Sequence, residues 1–320
     1  MNKQQVYEHE RLAQNKWATA DLKAEKLLEE LYRESISRMQ NTIDSFYLRY
    51  ANDKGLTRKE ANKRLKNFDV QEWAEKAYQA VKHRDFSPYT NNWLKTYNAK
   101  MRISRVEFMK AQLELELQSL YASEHQIIDA HLVEEALKEY KRQAGVLGIS
   151  TNGSPERIRR IVDADFYGVN FSANIWGKNG HYNSIKRELF SSLNRMYTDM
   201  NGYKAERNRL MKKFNVSENE AMRLLRTETA RVRSDAALES YRDNEATHYI
   251  YVAEAGACDI CADLDGTAVP VERAERGVNL YPMHPNCRCS TYGHREMNYK
   301  DGRSTLDEFS SYEQKSSLRG

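Results

Sequence analysis

Cys258-Asp259-Ile260-Cys261 and Cys287-Arg288-Cys289 contain all four cysteines of the chain, and His284 stands three residues before the second pair. Two close pairs of soft ligands, brought together across a loop, make a tetrahedral zinc site. A Cys-x-x-Cys turn aims both thiolates at one ion. An extended Cys-x-Cys puts both sulfurs on one face, because strand side chains alternate. Cys258, Cys261, His284, Cys287 and Cys289 are thus five candidate ligands for four positions. Four thiolates are the first choice, with His284 beside them; alternatively His284 displaces one of the second pair. A closed four-coordinate Zn(2+) is structural, since it leaves no position for a water.

Other chemistries fit these residues less well. Disulfides need an oxidising compartment, and the start MNKQQVYEHERLAQ has no apolar export signal. A redox Cys-x-x-Cys belongs in a βαβ setting, whereas this one follows a strand pattern with no helix opening. Zinc deaminases need His-x-Glu ahead of the cysteines, and none precedes Cys258. The alternative that keeps an enzyme is a zinc-supported His/Asn nuclease built on His284-Pro285-Asn286. It needs a second histidine or acid to activate water, and His294, Asp263 and Asp265 are near in sequence without a diagnostic spacing.

The elements that must position the cluster are mostly helical. The chain has 320 residues, 30% of them charged, a mean hydropathy of −0.84, and only 14 Gly and 5 Pro. That composition argues for long solvated helices and two domains, and against a turn-rich sandwich. No apolar run is long enough to span a membrane.

Leu27, Leu28, Leu31, Tyr32, Met39 and Ile43 fall at helical spacing. A break is expected at Asn52–Gly55. Thr57 and Glu60 then form a capping box for a helix reaching toward Val81, with a possible interruption at Phe68–Val70. Pro88 marks another break. Tyr89 to Ala144 lacks Gly and Pro and carries an amphipathic pattern that reads as a bundle core. Gly145 to Pro155 reads as a linker ending in a Ser154 cap. Gly177–Gly180 precedes a helix over about 182–200, punctuated by Asn201-Gly202. A short helix with Leu210 and Phe214 follows, and a second capping box, Ser217/Glu220, opens another running to about Asn244. The period then changes: His248 to Val252 reads as a strand, and Thr267 to Val271, after the Asp265-Gly266 turn, as its partner. From Arg295 the chain is polar and expected to be loosely held.

The fold class is therefore mainly α, with a small C-terminal α+β module around a zinc knuckle. The expected divisions are a helical region over 1–148, a basic helical region over 149–244, the strand-containing metal module over 245–294, and a polar tail over 295–320.

The formal net charge of +4 hides an asymmetry. Residues 177–233 hold 13 Lys and Arg against 6 Asp and Glu, a net of +7, which leaves the remainder at −3. Lys204, Arg207, Arg209, Lys212 and Lys213 crowd one stretch, and Arg223, Arg226, Arg231 and Arg233 follow. Such a stripe can neutralise phosphates of double-stranded DNA without reading sequence. A solvated face salt-bridged to acidic helices explains the same residues more simply. Glu228, between Arg226 and Arg231, reads as a structural ion pair fixing its helix against the metal module, not as an acid catalyst.

The strings Asn215-Val216-Ser217, Ala221 to Ala230 with its Arg226-Thr227-Glu228-Thr229, Cys258–Cys261, Asp265-Gly266 and His284–Cys289 together resemble the phage head morphogenesis, or Mu F-like, minor head protein family. The resemblance covers roughly Phe171 to Tyr292. It implies a minor capsid protein of tailed phages, not an enzyme, located in the virion head and in the host cytoplasm during assembly. It implies the portal protein and the major capsid or scaffold protein as partners, with DNA contact in some members and no membrane. Some relatives carry fused toxin domains. About thirty residues follow Cys289, too few for one that folds without a staple.

Overall fold

A computed structural model describes residues 3–51, 79, 87, 90, 105–198, 203–300 and 302–312. The expected breaks at Asn52–Gly55, Pro88 and Asn201-Gly202, the Thr57/Glu60 cap and the Phe68–Val70 interruption lie outside the described residues. Among these residues no helix is long and apolar enough to cross a membrane.

The chain is mainly helical. Helix α1 spans Lys3–Ala51 and α2 Arg105–Val146; neither is broken by an interior Pro. The end of α2 is built by glycine: Gly148 sits at φ 79°, its N–H bonds the Gly145 carbonyl, and the Ile149 N–H reaches back to Ala144 at 2.9 Å. This left-handed cap satisfies carbonyls that the helix end would otherwise leave open. Helix α3, Pro155–Asp163, starts as expected, with the Ser154 side chain accepting from Arg157 N and Pro155 at the first turn. Helices α4, Phe171–Trp176, and α5, His181–Thr198, follow.

Helix α6 runs without interruption over Tyr203–Asp243. This corrects the expected pair of helices split before Ser217. The Ser217/Glu220 capping box is not used, because the buried Ser217 hydroxyl bonds the Tyr121 hydroxyl at 2.7 Å. Neither Gly nor Pro stands between 203 and 243 to force a stop.

The sheet has four strands: β1 His248–Val252, β2 Thr267–Pro270, β3 Ser290–His294 and β4 Ser310–Ser311, in the order β3-β1-β2-β4. β1 pairs antiparallel with both neighbours, Tyr249 opposite Val269 and Gly293, while β4 lies parallel to β2. A one-turn helix, α7 Asp259–Ala262, links β1 to β2. The segment after Arg295 is better held than its polarity suggests. Arg295 donates to the Asn244 carbonyl, Ser304 and Asp307 form a capping box for a 3-10 turn, and β4 joins the sheet. Polar side chains there find backbone partners, which composition does not reveal.

Two compact units are drawn from separated stretches: Met1–Leu27, Gln126–Asn174 and Ala221–Gly320 form one, Leu28–His125 and Ile175–Glu220 the other. In the second unit Leu28, Tyr32, Ser35, Met39 and Ile43 are buried on one face of α1. Leu27, which the same spacing included, is 54% exposed. Tyr32 packs edge-on against Tyr121, and its hydroxyl donates to the buried Glu124 at 2.6 Å.

In the first unit both faces of β1 are covered. Tyr249 and Tyr251 point into a core with Tyr241, Leu264, Cys261, Cys287 and Cys289, and Ile250 and Val252 into one with Val6, Tyr7, Leu306 and Phe309. The start of α1 docks on the sheet by polar bonds. Tyr7 donates to Asp265 at 2.8 Å, Gln14 to the Val252 carbonyl at 3.0 Å, and Arg11 to the Ala253 carbonyl.

Candidate metal centre

Each cysteine is placed by a local device. Cys258 is the N-cap of α7, and its carbonyl accepts from Ala262 N at 2.8 Å, so one turn separates it from Cys261. The motif thus does open a helix, contrary to expectation, although only four residues long. His284 to Cys287 is a tight turn in which the Cys287 N–H bonds the His284 carbonyl at 3.2 Å. Pro285 supplies the fixed φ of its first corner and Asn286, at φ 63°, the left-handed second corner. Cys289 then leads directly into β3.

The fold brings all five donors into one cluster. Cys258, Cys261 and His284 have ligand atoms within 4.8 Å of one another, as do Cys261, Cys287 and Cys289, so Cys261 belongs to both groups. His284 Nε2 is 3.4 Å from Cys258 Sγ and 3.5 Å from Cys261 Sγ. A tetrahedron with Zn–N near 2.05 Å and Zn–S near 2.3 Å has N···S edges of about 3.5 Å. The donor set therefore suits a zinc-sized ion. His284 Nδ1 bonds the Pro285 carbonyl at 2.9 Å, which makes it the protonated nitrogen and turns Nε2 to the sulfurs. No disulfide joins the cysteines; Cys258 is exposed and the other three are buried.

Without a cation the sulfurs compete for protons. Donation from Cys261 and Cys289 pulls the Cys287 thiol down to about 2. Cys261, the donor to both, is pushed far up. For Cys289, donation from Cys261 lowers the thiol, but its contact with Cys287 and its burial together outweigh this and push it up to about 12. Cys258 is lowered, chiefly by the Cys261 amide, and His284 is raised, chiefly by the Pro285 carbonyl. A thiolate shared among neighbouring thiols is the protonated counterpart of a metal cluster, in which one ion replaces the protons.

Supports around the cluster were not visible in sequence. The Asn286 N–H meets Thr227 Oγ1 at 3.4 Å, which ties the His284–Cys287 turn to the Arg226–Thr229 string on α6. Glu254 is raised by burial and by the Cys287 charge, while the Arg288 amide donates to it. The Tyr251 ionisation is pushed up by burial and by the nearby Cys289 and Cys287. The one sequence signal for Tyr251 was alternation, which put it on the Tyr249 face.

The ion pairs at Arg226, Glu228 and Arg231 have definite partners. Arg226 forms a two-pronged pair with Glu25 at 2.6 and 2.7 Å. Arg231, fully buried, donates to Glu228 at 2.7 Å, to Asp235 at 3.0 Å, and to the Ile161 and Val162 carbonyls. It therefore pins α6 to α3. The tie toward the metal module runs through Asp235, which also takes Arg276. Burial raises Glu228 above the usual carboxylate range, against the lowering influence of Arg231.

The basic stripe is partly neutralised. In the second unit Arg207 forms a two-pronged pair with Asp44 at 2.9 and 3.0 Å, and Arg209 pairs with Glu188 at 3.0 Å. Lys204 and Lys212 are exposed and Lys213 half-buried; Arg223, in the first unit, is exposed. Arg233 is buried between Asp21 and Glu135.

The residues considered for a nuclease go elsewhere. His294 Nε2 meets Thr305 Oγ1 at 2.9 Å, and Asp265 accepts from Tyr7 and from Ala253 N. Among the described residues neither metal-capable group includes His294, Asp263 or Asp265.

No curated protein and no solved structure matches the chain. A family model described as Phage Mu protein F like protein matches residues 191–292, a stretch that begins in α5 and ends in β3 with the whole cysteine cluster inside it. Over residues 191–292, about a third of the chain, the protein is thus similar to the phage Mu protein F-like family.

Proposed function

We propose that this chain is a minor head protein that acts in phage head morphogenesis, docks on the portal and the inner face of the procapsid, and remains in the virion. The observation that carries the reading is the family match at residues 191–292 together with the cysteine cluster that organises that segment. The cluster is a structural centre holding one Zn(2+) through four of its five donors, with Cys261, common to both groups, always among them. The metal supplies cross-linking of the β1–β2 loop to the chain entering β3, and no open position for catalysis. Scaffold or major capsid protein is the second partner.

Lys204, Lys212, Lys213 and Arg223 are the cations with which the chain contacts packaged double-stranded DNA, through phosphates and without sequence preference. Arg207 and Arg209, the other two candidates, are matched to Asp44 and Glu188 and contribute less.

The test is to delete the gene in the phage or prophage that encodes it and examine the heads. Loss of infectious particles, with the wild-type chain co-purifying with procapsids, is expected. Normal heads lacking the chain from the outset would contradict the proposal.

A further inference from the structure

Four buried tyrosines of the first unit, Tyr241, Tyr249, Tyr251 and Tyr281, belong to the core that contains Cys261, Cys287 and Cys289, and two of them have clear hydrogen-bond partners. Tyr249 donates to Asn279 Oδ1 at 2.9 Å, and the Tyr241 hydroxyl bonds Thr291 Oγ1 at 2.9 Å. Tyr251 has no exposed surface and its hydroxyl has no hydrogen-bond partner among the described residues. Tyr251 packs in one buried core with Cys261, Cys287 and Cys289, so the groups within reach of its hydroxyl are the sulfurs of Cys261 and Cys289. A buried hydroxyl without an acceptor is unfavourable, and a thiol is a poor acceptor. A thiolate is a good one, because charge strengthens the bond.

We infer that Tyr251 is a positioning residue of the metal centre: it donates its hydroxyl hydrogen to the thiolate face formed by Cys261 and Cys289 when the metal is bound. The inference rests on the metal reading above. The hydroxyl touches no metal; it stabilises negative sulfur in a core from which water is excluded. Tyr281 is the internal control. It is equally buried in the same core and also without a hydrogen-bond partner among the described residues, but the charged groups acting on its hydroxyl are Glu139, Glu10 and Arg142 and include no cysteine.

The experiment uses the full-length chain as wild type, Tyr251→Phe and Tyr281→Phe, loaded with zinc or with cobalt(II). For Tyr251→Phe, zinc affinity measured by competition with a chelating dye should fall roughly tenfold or more. Its sulfur-to-cobalt charge-transfer band should move to lower energy, since the sulfur loses a donor. Tyr281→Phe should match wild type in both. Wild-type affinity and an unshifted band in Tyr251→Phe would overturn the inference. A wild-type chain that takes up neither metal would instead overturn the metal reading itself. Should Tyr251→Phe not fold, NMR of the wild type loaded with NMR-active cadmium decides. A coupling between the metal and a slowly exchanging tyrosine hydroxyl proton supports the bond, and its absence excludes it.

Discussion

His284 and Cys258 are 26 positions apart, yet the His284 Nε2 stands 3.4 Å from the Cys258 sulfur while its Nδ1 is held by the Pro285 carbonyl. The ring is thus oriented by its own turn. The five donors are not equivalent, however. Cys261 is buried and belongs to both groups, whereas Cys258 is exposed and belongs to one. Cys261→Ser should therefore abolish metal binding and unfold the module, and Cys258→Ser should weaken metal binding less. Limited proteolysis with metal analysis of each variant checks the order, and equal effects would contradict it.

Arg231 should be the most costly single charge to remove. With Glu228 and two backbone carbonyls depending on it in a buried site, Arg231→Leu should cost about 3–5 kcal/mol, measured by urea unfolding. Arg231→Lys should recover little, since one ammonium cannot span the same acceptors.

Gly293 should not tolerate alanine. A Cβ there would lie 2.8 Å from the Tyr241 ring and 3.2 Å from Leu147. The ring is buried and tied to Thr291, so it cannot swing aside. Gly293→Ala should cost about 1–3 kcal/mol, read as a lower urea midpoint.

The Asp21–Arg233–Glu135 group should make stability fall in acid. Burial alone would raise both carboxyls. For Asp21, hydrogen bonding from His131 and the Arg233 charge outweigh burial; for Glu135, the Arg233 charge and its hydrogen bonds do so, and both end below the usual range. A carboxyl lowered on folding contributes stability above its unfolded value, about 3.9 for Asp and 4.3 for Glu, and loses it as pH falls through the folded value. The urea midpoint should drop below about pH 4, with NMR titration midpoints of Asp21 and Glu135 under the unfolded values. Midpoints above them would refute the assignment.

DNA contact should depend on Lys204, Lys212 and Lys213. Changing all three to Glu should weaken plasmid binding and flatten its salt dependence. Unchanged affinity and slope would remove the stripe from the functional account.

Much of the site was legible because local rules decide it. The His248–Val252 alternation, the Asp265-Gly266 turn, the Ser154-Pro155 cap and the clustering of cysteines each act within a few residues. The parts that escaped depend on distant partners. Ser217 looks like a cap until Tyr121 claims its hydroxyl, and the polar residues after Arg295 look idle until the Asn244 carbonyl and β2 are in place. Tyr7, Gln14 and Arg11 give no local sign that they cover a sheet more than 230 residues away. Charge counting likewise found the basic stripe but not the carboxylates, Asp44 and Glu188, that quench part of it.

The most direct measurement is the metal content of the full-length chain purified without added metal, followed by chelation. About one zinc per chain is expected, and its removal should expose the 248–294 segment to protease. A metal-free chain whose module resists protease unchanged would contradict the proposal that a metal organises this module.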